Sequence, residues 1–271
     1  MGKMQRSAQR KVADGPEKPS EERDESLPRL LVTCPIHDGK LHYRWVAGAL
    51  DAKTDFAGRI RFDVQIGSFL PRNRDLLTSG FLRSDATHML CIDSDIGWRS
   101  DQIQKLIDAD RDFVSGVYCK KNSSREIPAH LTGKHEGDLY EAEYVPAGFM
   151  LLRRAVIERM VEAYADLHYT AINADHWALW SSLFEQGASY DGEDVAFCRR
   201  WRKIGGQIWI HRGVVVDHYG DACYQAPSVT EDGEQKAIFE SMLPTAFGET
   251  SQARRQFIGK VPVYIHEQVA A

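Results

Sequence analysis

The stretch that most constrains this chain is Thr87-His88-Met89-Leu90-Cys91-Ile92-Asp93-Ser94-Asp95, a short apolar run that ends in two carboxylates. Met89 to Ile92 shows no alternation of polar and apolar residues, the pattern of a strand covered on both faces by helices. A sheet interior cannot solvate Asp93 or Asp95, so both belong where the strand leaves the carboxyl edge of the sheet. In open α/β sheets that edge is where ligands bind. Two acids one residue apart can turn oxygens toward one hard divalent cation, and a cation so held can neutralise a diphosphate.

Strands and helices alternate around this run. Residues 29–35 form an apolar strand cut off by Pro35, and the polar loop Ile36-His37-Asp38-Gly39 after it is a common place to hold a nucleotide. A helix over 43–50 and a strand over 61–67 come next. Pro71-Arg72-Asn73-Arg74 then opens a helix that runs through Leu82, with proline in its first turn. Arg72, Asn73 and Arg74 thus lie at a helix N-terminus, where backbone donors and cations together attract phosphate. Ordinary capping of a solvated helix start accounts for the same residues.

Ser100 and Asp101 open a further helix with Ile103, Leu106 and Ile107 on one face. A strand follows over 113–118, then a polar loop or weak hairpin over 120–137. Residues 144–152 read as one strand whose Ala147-Gly148 pair would let a ligand approach the backbone. A helix over 155–163 precedes Tyr169, His176, Trp177, Trp180 and Phe184, which have no clean period. They fit either a substrate-facing loop or a satellite cluster packed under a long connection. Asp191-Gly192-Glu193-Asp194 starts a helix that Gly205-Gly206 stops, and strands over 207–210 and 214–216 lead to Asp217-His218-Tyr219. The expected class is α/β, a mixed, mostly parallel sheet flanked by helices. The expected division is a disordered tail over 1–28, one domain over 29–223, and an extension over 224–271 that packs on the domain or serves as a lid or oligomer contact.

With 271 residues, 43% of them hydrophobic, the chain can bury one sizeable core. A formal net charge of -5 excludes a global basic field for nonspecific nucleic-acid binding. The five cysteines are odd in number, widely spaced and mostly in apolar segments, which fits buried thiols in a reducing cytosol. No apolar run reaches transmembrane length, and the first residues lack the apolar core of a signal peptide, so the expected location is the cytoplasm.

A bare Asp-x-Asp is a weak signal, because turns use aspartate freely. Here it ends an apolar strand, and more candidates follow downstream. His218, at a strand end, can complete a metal set with Asp93 and Asp95 as a neutral imidazole, or be a satisfied structural residue. Glu193 and Asp194 sit where the helix dipole favours ionised acids, which capping alone explains. A carboxylate that takes a proton from an acceptor, or orients it, also explains them and is the preferred reading.

Taken in order, Asp93-Ser94-Asp95 after a strand, Gly148 on a mid-chain strand, Gly192-Glu193-Asp194, Arg200, Gly205-Gly206 and His218 resemble the GT-A-fold glycosyltransferases. The likeness is to the family-two-like proteins of bacteria and phages, and the Gly-Glu-Asp, Trp, Gly-Gly, His run is also similar to galactosyl- and acetylgalactosaminyl-transferases. It covers roughly residues 30–220. The resemblance implies a GT-A (Rossmann-like) fold, with Asp95 and His218 on manganese or magnesium and Asp93 on ribose or metal. It implies Thr33 and Pro35 near the base, and Arg72 and Asn73 near the nucleotide. Ser94 and Gly148 would line the donor site, with Asp194 as the base of an inverting reaction beside Glu193. The donor implied is a nucleotide sugar, a UDP-sugar first of all. The acceptor is a glycan or another hydroxyl, a modified DNA base included, and the oligomeric state is open. The family's early acidic residue that contacts the nucleobase has no counterpart here.

Three other classes compete. A haloacid-type phosphatase would carry Thr or Val two positions past the second Asp, where this chain has Gly97. A nucleotidyltransferase usually has a Gly-rich basic loop after the first strand, unlike Pro35-Ile36-His37-Asp38-Gly39. A catalytically silent sugar-nucleotide-binding module has no need to keep Asp93, Asp95, Glu193, Asp194 and His218 together.

Overall fold

The computed structural model describes residues 27–122, 126–184 and 190–225. The expected tail and C-terminal extension lie almost wholly outside the described residues.

The first strand, β1 (Leu30–Ile36), is buried along its whole length. It leads into α1 (Tyr43–Asp55), whose N-cap His42 accepts a hydrogen bond from the Arg44 backbone N–H. Strand β2 (Ile60–Ile66) returns parallel to β1, and α2 (Leu70–Leu82) crosses back with proline in its first turn. The apolar run is β3 (His88–Ile92), parallel to β1 on the side away from β2. Its residues divide between two cores: Met89 and Cys91 pack with Phe81, Phe113, Met150 and Trp180, while Leu90 and Ile92 pack with Val32, Trp45 and Trp98. This two-sided burial is the reason the run has no polar alternation. Each large side chain so buried contributes about 1.5–3 kcal/mol relative to exposure.

A short β4 (Ile96–Gly97) and α3 (Ser100–Asp108) precede β5 (Phe113–Val117). Strands β6 (His130–Glu136) and β7 (Leu139–Tyr144) form a hairpin, followed by β8 (Phe149–Arg153) and α4 (Arg154–Ala163). Two small hairpins come next, β9 (His168–Ala171) with β10 (Ala174–Trp177), and β11 (Leu183–Phe184) with β12 (Tyr190–Asp191). Helix α5 (Glu193–Lys203) ends at Gly205, whose φ of 85° suits glycine, and Gly206 lies flat against the Trp201 ring. Strand β13 (Ile208–Val215) then enters the sheet, and β14 (Asp217–Tyr219) and β15 (Cys223–Gln225) pair with β4 in a small sheet.

The large sheet has the order β2-β1-β3-β8-β5-β13-β7-β6. By the pairings, β1, β2, β3, β5, β6 and β13 run one way and only β7 and β8 oppose them. The expected mixed, mostly parallel sheet is therefore present. Three element boundaries differ from expectation. Residues 144–152 are not one strand: β7 pairs with β13 and β8 inserts between β3 and β5, so the chain must leave one place in the sheet and re-enter another. The polar stretch 120–137 contains β6, an edge strand whose second half is exposed and so needs little apolar character. The two strands expected over 207–216 are one, interrupted by a register shift between Ile210 and Val215. No helix among the described residues is long and apolar enough to cross a membrane.

Candidate functional site

The site is built where β3 ends. The Ile96 backbone N–H donates to the Asp93 carbonyl at 3.1 Å, closing a four-residue turn over Asp93-Ser94-Asp95. Strand geometry has stopped, and the two aspartates take different partners. Asp93 Oδ1 accepts from Arg74 Nη2 at 2.7 Å. Asp95 faces His218, because β14 pairs with β4 with His218 opposite Ile96, and the Tyr219 N–H donates to the Asp95 carbonyl at 2.8 Å.

His218 Nδ1 lies 2.8 Å from the Cys119 carbonyl oxygen. A carbonyl only accepts, so Nδ1 carries a proton, and in the neutral imidazole the lone pair is on Nε2. Nε2 stands 3.6 Å from Asp95 Oδ1. Two ligands of one divalent cation, each about 2.1 Å from it and at about 90–110° to one another, are roughly 3.0–3.4 Å apart, so a shift of about 0.2 Å would bring this pair to a shared cation. The fixed tautomer is the one such a ligand needs. Asp93 does not join them: its carboxylate is drawn to the buried Arg74, and among the described residues no group of three His, Cys, Asp or Glu is arranged to hold a metal ion. Of the three residues expected to share a metal, only Asp95 and His218 face one another. Lys121 completes this corner, its Nζ ion-paired with the other Asp95 oxygen, Oδ2.

The start of α2 departs furthest from expectation. Of Arg72, Asn73 and Arg74 only Arg72 is exposed; Asn73, Arg74, Asp75, Thr78 and Ser79 are buried. Asn73 Nδ2 donates to the Gly67 carbonyl at 2.7 Å, clamping the β2–α2 connection. The Arg74 side chain, 3% exposed, bonds Asp93 and lies 3.5 Å from Glu193 Oε1 through Nε, with its guanidinium over the Trp180 ring. Burial works against this charge, yet Asp93, Cys91 and Glu193 outweigh it and hold the guanidinium above its ordinary range. Helical spacing carried a signal for this: Arg74, Leu77, Thr78 and Phe81 fall at i, i+3, i+4 and i+7, one buried face.

Glu193 and Asp194 open α5 after the N-cap Gly192. Asp194 Oδ1 accepts from the Val195 N–H at 2.7 Å. Burial, and then the neighbouring Glu193 charge, raise the Asp194 pKa above the ordinary carboxylate value, which makes it a stronger proton acceptor once ionised. Asp93 and Asp194 both act on the buried Tyr118 phenol, whose pKa burial and these two charges raise. The acids of β3 and α5 therefore share one neighbourhood around Arg74 and Tyr118.

Gly148 has a packing reason to be glycine. Its N–H donates to Tyr118 Oη at 2.9 Å, and a Cβ there would lie 2.3 Å from that oxygen. The close approach expected of a ligand is made by Tyr118. Thr33 and Pro35 are buried within β1, and the Thr33 hydroxyl is spent on Leu90 and Cys91 of β3, so neither side chain is presented to a base. Ser94 is half-buried, with its carbonyl accepting from the His42 N–H at 2.9 Å. Arg72 lines a cavity of about 280 Å³ at the end of β2, with Gln65, Ile66, Phe69, Asn73 and Ile172. The aromatic stretch divides: His176 and Trp180 are buried, Trp180 stacked on Phe197 at 3.9 Å, while Phe184 and Tyr190 are exposed.

Asp75 yields a pH prediction. It accepts from the Trp180 N–H at 3.1 Å, but burial pushes its pKa up to about 7, against that bond and the Arg200 charge. The protonated form is the one the fold favours, so this contribution is complete below the unfolded value near 3.9 and is lost as pH rises toward 7. Asp75→Asn keeps the acceptor and removes the ionisation. The variant should gain stability over the parent by on the order of 2 kcal/mol at pH 8, the gain vanishing toward pH 4. Urea midpoints across that range test it; a pH-independent difference counts against it.

No family of known sequences matches the chain, and no curated protein does. Among solved structures, A197 from STIV is similar to it with a TM-score of 0.48 and 16% identity, over 73% of this chain and 94% of that one. The 4-diphosphocytidyl-2C-methyl-D-erythritol synthase from Anaerococcus prevotii is similar with a TM-score of 0.32 and 10% identity, over 54% of this chain and 78% of that one. Sheet order, strand directions and flanking helices make this chain a Rossmann-like, mixed α/β protein.

Proposed function

We propose that the chain is a glycosyltransferase that moves a sugar from a nucleotide-sugar donor, UDP-linked first of all, to a hydroxyl acceptor with the help of Mn2+ or Mg2+. The observation that carries this is the pair of facing ligand atoms, Asp95 Oδ1 and His218 Nε2, with the histidine tautomer locked by Cys119. Asp95 and His218 would hold the cation, which when bound neutralises the departing diphosphate. Asp194 would act on the acceptor. In an inverting transfer the acceptor oxygen bonds the sugar's anomeric carbon, the bond from that carbon to the diphosphate breaks, and the acceptor proton passes to the Asp194 carboxylate. Burial of Asp194 and its closeness to Glu193 support that role. Arg74 would keep Asp93 and Glu193 compatible in so small a volume. The loop Pro35-Ile36-His37-Asp38-Gly39, neither glycine-rich nor basic, favours sugar transfer over nucleotidyl transfer.

A thermal-shift screen of sugar nucleotides with and without Mn2+ tests the reading, since a ligand that binds the native state raises Tm. A Tm rise that needs both partners is expected. Asp194→Asn should keep that rise while transfer falls by a factor on the order of 100 or more. Equal loss of donor binding would move Asp194 to the donor site, and pyrophosphate release in place of sugar transfer would establish a nucleotidyltransferase.

A further inference from the structure

Lys121 lies four residues beyond β5, and nothing in its sequence surroundings singles it out. Its ammonium pairs with Asp95 Oδ2, whereas His218 Nε2 faces Oδ1 of the same carboxylate. The two partners approach different oxygens, so Lys121 does not block the pair that fits a cation. One short segment sets both: the Cys119 carbonyl holds His218, and two residues later Lys121 reaches Asp95. The Lys121 stem runs past Gly220, where a Cβ would stand 3.0 Å from Lys121 Cδ, so the glycine leaves a path for it. The side chain is 33% exposed, at the surface of the corner. His42, a further basic side chain close to this corner, feels Asp95, Arg44 and Lys121. It is held in place, stacked on Tyr219 at 3.8 Å with Nδ1 accepting from the Arg44 N–H.

We infer that Lys121 is a donor-binding residue, a tethered ammonium that rests on Asp95 in the donor-free protein and moves to a diphosphate oxygen of the donor. This rests on the proposed function. Lysine suits the task, being a compact point charge with three donors on a flexible stem. With a divalent cation on Asp95 the ammonium would be held there less strongly, and a diphosphate would offer it more negative charge than one carboxylate. When the anomeric carbon–oxygen bond breaks, the electron pair stays on the diphosphate oxygen. The ammonium offsets that charge without giving up a proton.

The test uses the full chain with Lys121→Met and Lys121→Arg. Mn2+ alone is titrated by electron paramagnetic resonance, and inorganic pyrophosphate is titrated at saturating Mn2+ by calorimetry. Lys121→Met should bind Mn2+ about fivefold more tightly and pyrophosphate about tenfold more weakly, and Lys121→Arg should restore most of the pyrophosphate affinity. If the unaltered protein binds both and Lys121→Met changes neither affinity, Lys121 is a surface ion pair and the inference is overturned alone. If the unaltered protein binds no Mn2+, the proposed function and this inference fall together.

Discussion

Asp95→Asn is expected to lower transfer by a factor on the order of 1,000 and to abolish the Mn2+-dependent rise in Tm produced by the nucleotide sugar. The amide keeps the shape and removes the charge, so the facing pair with His218 loses its anionic member while Nε2 stays where Cys119 holds it. Lys121 also loses its partner. Because Asp95 and Lys121 are both about one-third exposed, their pair is worth little to the fold, and the variant's stability in the absence of ligand should change by less than about 1 kcal/mol. Loss of function without loss of fold is therefore the expected signature. Full activity in Asp95→Asn, or of the unaltered protein in excess chelator, would remove the cation from the mechanism.

Arg74→Met should have the opposite signature, a loss of fold. The guanidinium is the only side-chain cation recorded on Asp93 and Glu193 among the described residues, and it is 3% exposed. Methionine fills most of the volume but leaves two carboxylates without their cation, which costs about 3–5 kcal/mol. Urea denaturation should show a lower midpoint with little change in slope. Adding Asp93→Asn should recover part of the loss, since one uncompensated charge is then gone. A cost below about 1 kcal/mol would mean that α2 begins as a solvated helix whose arginine is dispensable.

The contrast between these two residues shows what a sequence carries and what it does not. The run ending in Asp93-Ser94-Asp95, the helix through Leu82, the helix stopped by Gly205-Gly206 and the strand leading to His218 were all legible, because strand burial, proline at a helix start and glycine at a helix end act within a few residues. The placement of His218 beside Asp95 follows from an ordered set of motifs spread over more than a hundred residues. The opposite turn of Asp93 does not. An Asp-x-Asp on a continuing strand would send both side chains to one face, and only the four-residue turn at Ile96 separates them. Likewise Thr33, Pro35 and Gly148 are residues that a ligand site could use, and each is taken up by packing or by a bond to a distant segment.

Lys121 and the Cys119 carbonyl carry no local mark at all; they matter because β5 and β14 bring their loops to the same corner. By itself the sequence determined the periodic elements, the two-sided sheet and the carboxylates at its edge, since burial preference and backbone geometry are local properties. The tertiary structure alone decided which oxygen meets which cation. Desolvation forces every buried charge to find a partner, and the nearest one in space is seldom near in the chain.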